Sequence, residues 1–294
     1  MTPTSTHSAS THANEHANEP HSSGRSASRK NQQWYRPTVS PNSGAYVVLV
    51  MSFLIGAAAA QQWTWTTTLT LICAYCAFQA EHPLALQIRK RRSWKPRFLA
   101  WFTIYGGVSG AIALWLLFQS FSHQQPLWPL LGIYGVAIAV AVVDAISVWQ
   151  RQQKAIWNEL ITFAAICLSA PLAYVATLGD LSWQVIGLWI LNTLFFSSAI
   201  FTVKLRKLKT SSIMPGLIFH SVATVVIALL WQVHWLAPFT AAAFGVVLLK
   251  FGLILWQKEW YRSAKIQYVA QVETLSSLLF LVIAALSLLP SHLN

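Results

Sequence analysis

Negative charge is what this sequence has least of. Of its 294 residues only eight are acidic, and two of those, Asp144 and Asp180, are the only aspartates. A magnesium ion bridging phosphate oxygens needs clustered carboxylates to hold it, so no metal site is expected here, and no other cofactor is expected. Cysteine is scarcer still: Cys73, Cys76 and Cys167 all fall inside apolar stretches, so a disulfide framework is not implied. Cys73 and Cys76 share a helical face, and a lone pair of this kind within hydrocarbon reads as close helix packing. Charged residues of both signs make up 10% of the chain against 55% hydrophobic residues, with fifteen tryptophans. A soluble domain of this length could not hide such a composition.

The first forty residues lack any apolar run, so no cleavable signal is expected there. Ser, Thr, His, Asn and Ala dominate this stretch, which has nothing to bury against the entropy of ordering. Residues 1–40 therefore read as a disordered cytoplasmic tail, with His7, His12, His16 and His21 as polar spacers instead of metal ligands.

Residues 41–294 read as a transmembrane domain. Apolar runs of about twenty residues, the length needed to cross hydrocarbon, follow one another at 45–61, 66–88, 98–119, 128–149, 156–178, 183–203, 214–233, 236–256 and 269–289. They are continuously apolar and do not alternate, so helices are the spanning form. The expected fold is an all-α polytopic bundle of about nine transmembrane helices.

Orientation follows from where lysine and arginine fall. Besides Arg25, Arg29, Lys30 and Arg36 in the tail, they crowd the second, fourth, sixth and eighth connections, as in Arg89 to Arg92, Arg151 and Lys154, Arg206 to Lys209, and Lys258 to Lys265. The odd-numbered connections carry none. Nine spans put all of these loops in the cytoplasm, with the amino terminus inside and the carboxyl terminus outside. Trp63, Trp65, Trp128, Trp183 and Trp235 flank the uncharged connections, as interfacial anchors do. The net charge of +12 thus points to topology and to anionic lipid headgroups, with Arg89, Arg91, Arg92 and Arg206 as candidate contacts, and not to nucleic acid.

Ionisable groups inside a span are costly and so mark function. Glu81, His82, Asp144, Asn158, Glu159, Lys204, His220, Lys250 and Glu273 all fall in the half of their span nearest the basic loops. This one-sidedness predicts a polar cavity open to the cytoplasm, with Glu81, His220 and Lys250 facing a shared interior. Pro83, next to Glu81-His82, predicts a bend in the second span.

Glu81-His82-Pro83-Leu84 running into Arg89-Lys90-Arg91-Arg92, followed by the stretch from Phe98 to Gly106, resembles the YwiC-like bacterial membrane proteins. Asn158-Glu159-Leu160, Phe195-Phe196, Val203-Lys204 and Phe219-His220 look similar to that family as well. Ser43 stands where the family commonly has the histidine of a His-Gly-Ala element. The resemblance implies a multi-pass protein of the bacterial inner membrane without naming its chemistry.

The segment from Lys154 to Trp183 bears a more distant likeness to the UbiA superfamily of intramembrane prenyltransferases. That likeness implies nine helices, a cytoplasm-facing cavity, and an isoprenoid or quinone ligand. Where that superfamily carries aspartate-rich motifs, this chain has Glu81-His82 and a run of basic residues. The leading expectation is a protein that binds a lipid, isoprenoid or other amphipathic molecule. A divergent transferase, with Glu81, His82 and Glu159 as acid-base groups, and a transporter of a small solute remain open alternatives.

Overall fold

A computed structural model describes residues 36–91, 93–206 and 212–289, and among them every regular element is helical. The helices are α1 (Ser43–Ala60), α2 (Trp65–Arg89), α3 (Pro96–Ser122), α4 (Trp128–Trp149), α5 (Ile156–Cys167), α6 (Ser169–Leu178), α7 (Trp183–Lys204), α8 (Met214–Gln232), α9 (Pro238–Ala242), α10 (Gly245–Trp256), α11 (Lys258–Ser263) and α12 (Ile266–Ser287). The described residues from Thr38 onward cluster as one unit. Of the segment expected to be a disordered tail, residues 1–35 lie outside the described residues.

Among the described residues, eight helical stretches are long and apolar enough to cross a membrane, counting α5 with α6 and α9 with α10 as one stretch each. They coincide with eight of the nine expected spans. The remaining one, α2, has 25 residues but lower hydropathy, because Gln79, Glu81, His82, Gln87 and Arg89 occupy its C-terminal half. It packs most extensively against α3 and also meets α4 and α6, so neighbouring helices cover much of its polar content. Its helix continues through Pro83.

Local signals set the helix ends. Thr64 caps α2 through a reciprocal exchange with Thr67, and the Ser182 hydroxyl accepts from the Val185 N–H at the start of α7. Proline stands in the first turn of α3, α4, α8 and α9, where its missing N–H leaves no helical bond unmade. Gly179, at a φ of +82°, closes α6 in the left-handed conformation that favours glycine.

The fifth span breaks between α5 and α6, and the cause is Pro171. A proline in a helix removes the N–H that the carbonyl four residues earlier would accept, here that of Cys167. The Ser52 hydroxyl of α1 donates to this carbonyl instead, at 3.0 Å. Ser169 returns the contact by donating to the Leu49 carbonyl at 3.1 Å, and Asn192 of α7 donates to Ser52 Oγ at 3.1 Å. Gly56 makes this crossing possible, since a Cβ there would sit 2.1 Å from the Ala170 carbonyl oxygen. Close approach through small residues and hydroxyl bonds is how helices associate when lipid removes the hydrophobic drive between them.

The most buried span is α7, with α1, α8 and α12 around it. Phe195 of α7 stacks on Phe280 of α12 with ring centroids 3.8 Å apart. By contrast, α3 and α4 turn Leu114, Phe118, Ile138 and Val142 outward. A soluble protein would not expose such a belt, whereas a bilayer is its matching solvent.

The two ends of the bundle differ. At one, Trp183 and Trp235 stack at 4.8 Å, and Gln61 donates to the Leu288 carbonyl at 2.9 Å. At the other, arginines lock loops to helix ends. Arg89 donates to Gln153 Oε1, Arg91 to the Trp149 carbonyl, Arg206 to the Ala264 carbonyl and Arg262 to the Leu205 carbonyl. Carbonyls at helix C-termini lack intrahelical donors and carry partial negative charge, so guanidinium groups are well matched to them.

Candidate functional site

The polar residues of the spans fall into two clusters and one separate ion pair. In the first, α2 brings Glu81 and His82, α4 brings Asp144, and the first turn of α5 brings Asn158. Asn158 donates through Nδ2 to Asp144 Oδ1 at 3.0 Å and more weakly to the Gln153 carbonyl at 3.4 Å. Its own Oδ1 is buried and has no hydrogen-bond partner, although the residue is only 3% exposed. Glu81 lies within electrostatic range of Asp144. Among the described residues no hydrogen bond or ion pair engages the Glu81 carboxylate.

Two cavities meet at Glu81. The larger, about 260 Å³, has mixed polar and apolar walls that include Ser40, Asn42, His82, Arg89, Gln153 and Thr162. The smaller, about 120 Å³, is an apolar cleft between α2, α3 and α4, with Leu84, Ile88, Phe102 and Val148 on its walls and Asp144 beside Glu81. Both share Glu81 and Ala85, so a carboxylate stands where a vestibule with polar walls adjoins an apolar slot.

The second cluster joins α7, α8, α10 and α12. Lys250, 5% exposed, places Nζ 2.8 Å from Glu273 Oε2 and donates to Ser198 Oγ at 3.2 Å. Thr202 donates to the other carboxylate oxygen at 3.1 Å, and the Phe195 ring lies 5.8 Å from the ammonium. The ammonium thus holds a carboxylate and a hydroxyl, and each carboxylate oxygen has a partner, which offsets part of the cost of taking the pair out of water. His220 stacks on Phe251 at 3.9 Å and donates through Nδ1 to the Gly216 carbonyl at 2.7 Å, which leaves its buried Nε2 as an unpartnered acceptor. Lys250 also borders an apolar groove of about 370 Å³ between α10 and α12.

Glu159 and Lys204 form a third pair at 2.6 Å that ties α5 to α7. His220 lies within electrostatic range of Lys250, whereas Glu81 lines two cavities that neither of them borders. The acid that meets Lys250 is Glu273, from the neighbouring span, and the group beside Glu81 is Asp144.

The candidate headgroup arginines are partly committed. Arg89, Arg91 and Arg206 each hold a protein acceptor, and the last two also lie over aromatic rings, at 5.6 Å from Trp149 and 5.9 Å from Tyr261. Arg92 lies outside the described residues.

Sequence reasoning passed over several polar groups that the fold uses. Gln79 donates to the Tyr46 hydroxyl at 2.7 Å and to that of Tyr75 at 2.9 Å, and it accepts from the Ser40 N–H at 3.2 Å. Ser40 of this network also lines the larger cavity. An amide two residues before Glu81 in an apolar span was the available signal.

Compared with known proteins, residues 39–174 match the model of a family described as YwiC-like protein. No curated protein matches the chain. The matched stretch runs from just before α1 through most of α6. It therefore contains Glu81, His82, Asp144, Asn158 and Glu159, while the Lys250–Glu273 cluster lies beyond it.

Proposed function

We propose that this YwiC-like multi-pass membrane protein binds an amphipathic molecule, a lipid, isoprenoid or quinone, in the cavity that converges on Glu81 and opens to the cytoplasm. The observation that carries the reading is the meeting of a vestibule with polar walls and an apolar cleft at one uncommitted carboxylate. A molecule with one polar end and one apolar end matches both halves. Pockets of this kind fix orientation through a few polar groups set in an apolar lining.

Binding is favoured over bond making. Of the three acid-base candidates, Glu159 is held by Lys204 at 2.6 Å, and only Glu81 and His82 line the cavity. With just two aspartates in the chain, a UbiA-like architecture would here serve handling of the ligand without magnesium. On this reading the basic end faces the cytoplasm of a bacterial inner membrane, close to anionic headgroups, and the Trp183–Trp235 end faces outward.

The test is extraction in a mild nonionic detergent, followed by mass spectrometry of co-purifying lipids and quinones from wild type and Glu81→Gln. A molecule recovered near one per protein and depleted at least severalfold in the variant supports the reading. Recovery of bulk membrane lipid alone, unchanged by the substitution, overturns it.

A further inference from the structure

The two halves of the fifth span are packed very differently. Six of the ten residues of α6 are buried, among them Ala170, Pro171 and Ala173, and Thr177 shares a hydrogen bond with Thr67 of α2 at 2.9 Å. In α5, twelve residues long, only Asn158 and Cys167 are buried, one near each end, and every residue from Glu159 to Ile166 is half-buried. An element with few buried contacts belongs to the low-stability part of its fold. The weakly packed half is also a wall: Thr162 and Ile166 line the larger cavity, together with His82 and Arg89 of α2.

Between the halves the backbone departs from the helical pattern. Pro171 offers no N–H to the Cys167 carbonyl, and the Leu168 N–H bonds the Ala165 carbonyl in place of that of Ala164. Side chains of other helices meet both vacated carbonyls, Ser52 that of Cys167 at 3.0 Å and the Trp189 indole that of Ala164 at 2.8 Å. A change of angle here is spared two of the bonds that stiffen an unbroken helix, while the pivot stays tethered to α1 and α7. At the far end of α5 polar ties take over: Glu159 pairs with Lys204 of α7 at 2.6 Å, and Asn158 donates to Asp144 of α4 at 3.0 Å. The side chains of the ion pair are partly exposed, 31% for Glu159 and 19% for Lys204, so the attraction is screened and can open.

We propose that α5 is a hinged gate of the larger cavity: it swings about residues 167–169 while α6 stays fixed, and the Glu159–Lys204 pair is the latch that holds it shut. Opening moves Thr162 and Ile166 away from α2 and widens the vestibule. The inference rests on the reading of this cavity as an amphiphile site and adds how access to it is controlled. Its test follows the wall itself and needs no ligand.

Full-length protein in phosphatidylcholine nanodiscs carries Cys76→Ala, since the other two cysteines, Cys73 and Cys167, are buried. Thr162→Cys on the gate or Ala176→Cys on α6 is added, and the rate of reaction with a bulky water-soluble maleimide is measured. Glu159→Gln and Lys204→Gln each raise the rate at Thr162→Cys about fivefold and leave that at Ala176→Cys unchanged. The charge exchange Glu159→Lys with Lys204→Glu restores the slow rate. Pro171→Ala, which lets the span close its own hydrogen bond, suppresses the effect of Glu159→Gln; failure to do so overturns the hinge. Where Thr162→Cys does not fold, His82→Cys on α2, which lines the same cavity, reads the opening instead. Equal rates with and without the latch overturn the gate and leave the amphiphile reading standing, because that reading depends on recovery of a bound molecule. A parallel rise at Ala176→Cys reports general loosening of the fold and overturns the gate as well.

Discussion

Lys250 and Glu273 pair at 2.8 Å across α10 and α12, in a part of the bundle where Ser198 of α7 bonds the ammonium and Thr202 of α7 bonds the carboxylate. Two helices of the outer layer are thereby pinned to the most buried one.

A pair of this kind is worth little when both members are replaced together, and much when one is left alone. Lys250→Met or Glu273→Gln alone is expected to lower unfolding stability by about 3 kcal/mol, while the double change costs clearly less than the sum. Lys204→Met, from the more exposed pair with Glu159, costs less than either single change. Additive losses in a double-mutant cycle read by denaturant unfolding in detergent would remove the pair as a structural staple.

The crossing of α1 over α6 makes an equally sharp prediction. A Cβ at Gly56 meets the Ala170 backbone at 2.1 Å, while at Gly106 nothing lies within 4 Å. Gly56→Ala therefore separates two helices and is expected to cost about 2 kcal/mol or more. Gly106→Ala stabilises its helix slightly, by roughly 0.5–1 kcal/mol. Equal responses at the two positions would contradict the close approach.

Much of this architecture could be read from residues alone, for a physical reason: in a bilayer each span must satisfy its own backbone, so span length and apolarity are written locally. What could not be read is which spans touch. Glu81 and Asp144 line one cleft because α2 and α4 are neighbours, and Lys250 pairs with Glu273 because α10 and α12 are; no local pattern encodes either adjacency. Hydroxyl groups were silent for a different reason. Thr193, Thr224 and Ser147 bond carbonyls of their own helices, whereas Ser52 and Ser169 reach across to others. A serine in a span looks the same in both roles.

Orientation is open to direct measurement. If the basic end faces the cytoplasm, as we propose, then with α12 following the last basic connection, Lys258 to Lys265, a reporter fused after Asn294 is expected to be active only outside the cytoplasm. A second fusion in the connection between α4 and α5, near Lys154, is expected to be active only inside. Matching signals from the two fusions would refute an odd number of spans between them.

The broken fifth span offers a test in which one substitution repairs another. Ser52→Ala removes the hydroxyl that donates to the Cys167 carbonyl and leaves that carbonyl bare inside the bundle, a loss of about 1–2 kcal/mol. The carbonyl is bare only because Pro171 has no N–H to offer it. Pro171→Ala restores an N–H four residues on, and the helix can then close its own hydrogen bond without help from α1. In the Pro171→Ala background, Ser52→Ala should therefore cost much less than it does in the wild type, leaving mainly the lost bond from Asn192. The quantity to measure is the difference between the two Ser52→Ala losses, by unfolding in detergent. If Ser52→Ala costs the same in both backgrounds, the hydroxyl serves Asn192 or packing, and the proline is not what made it necessary.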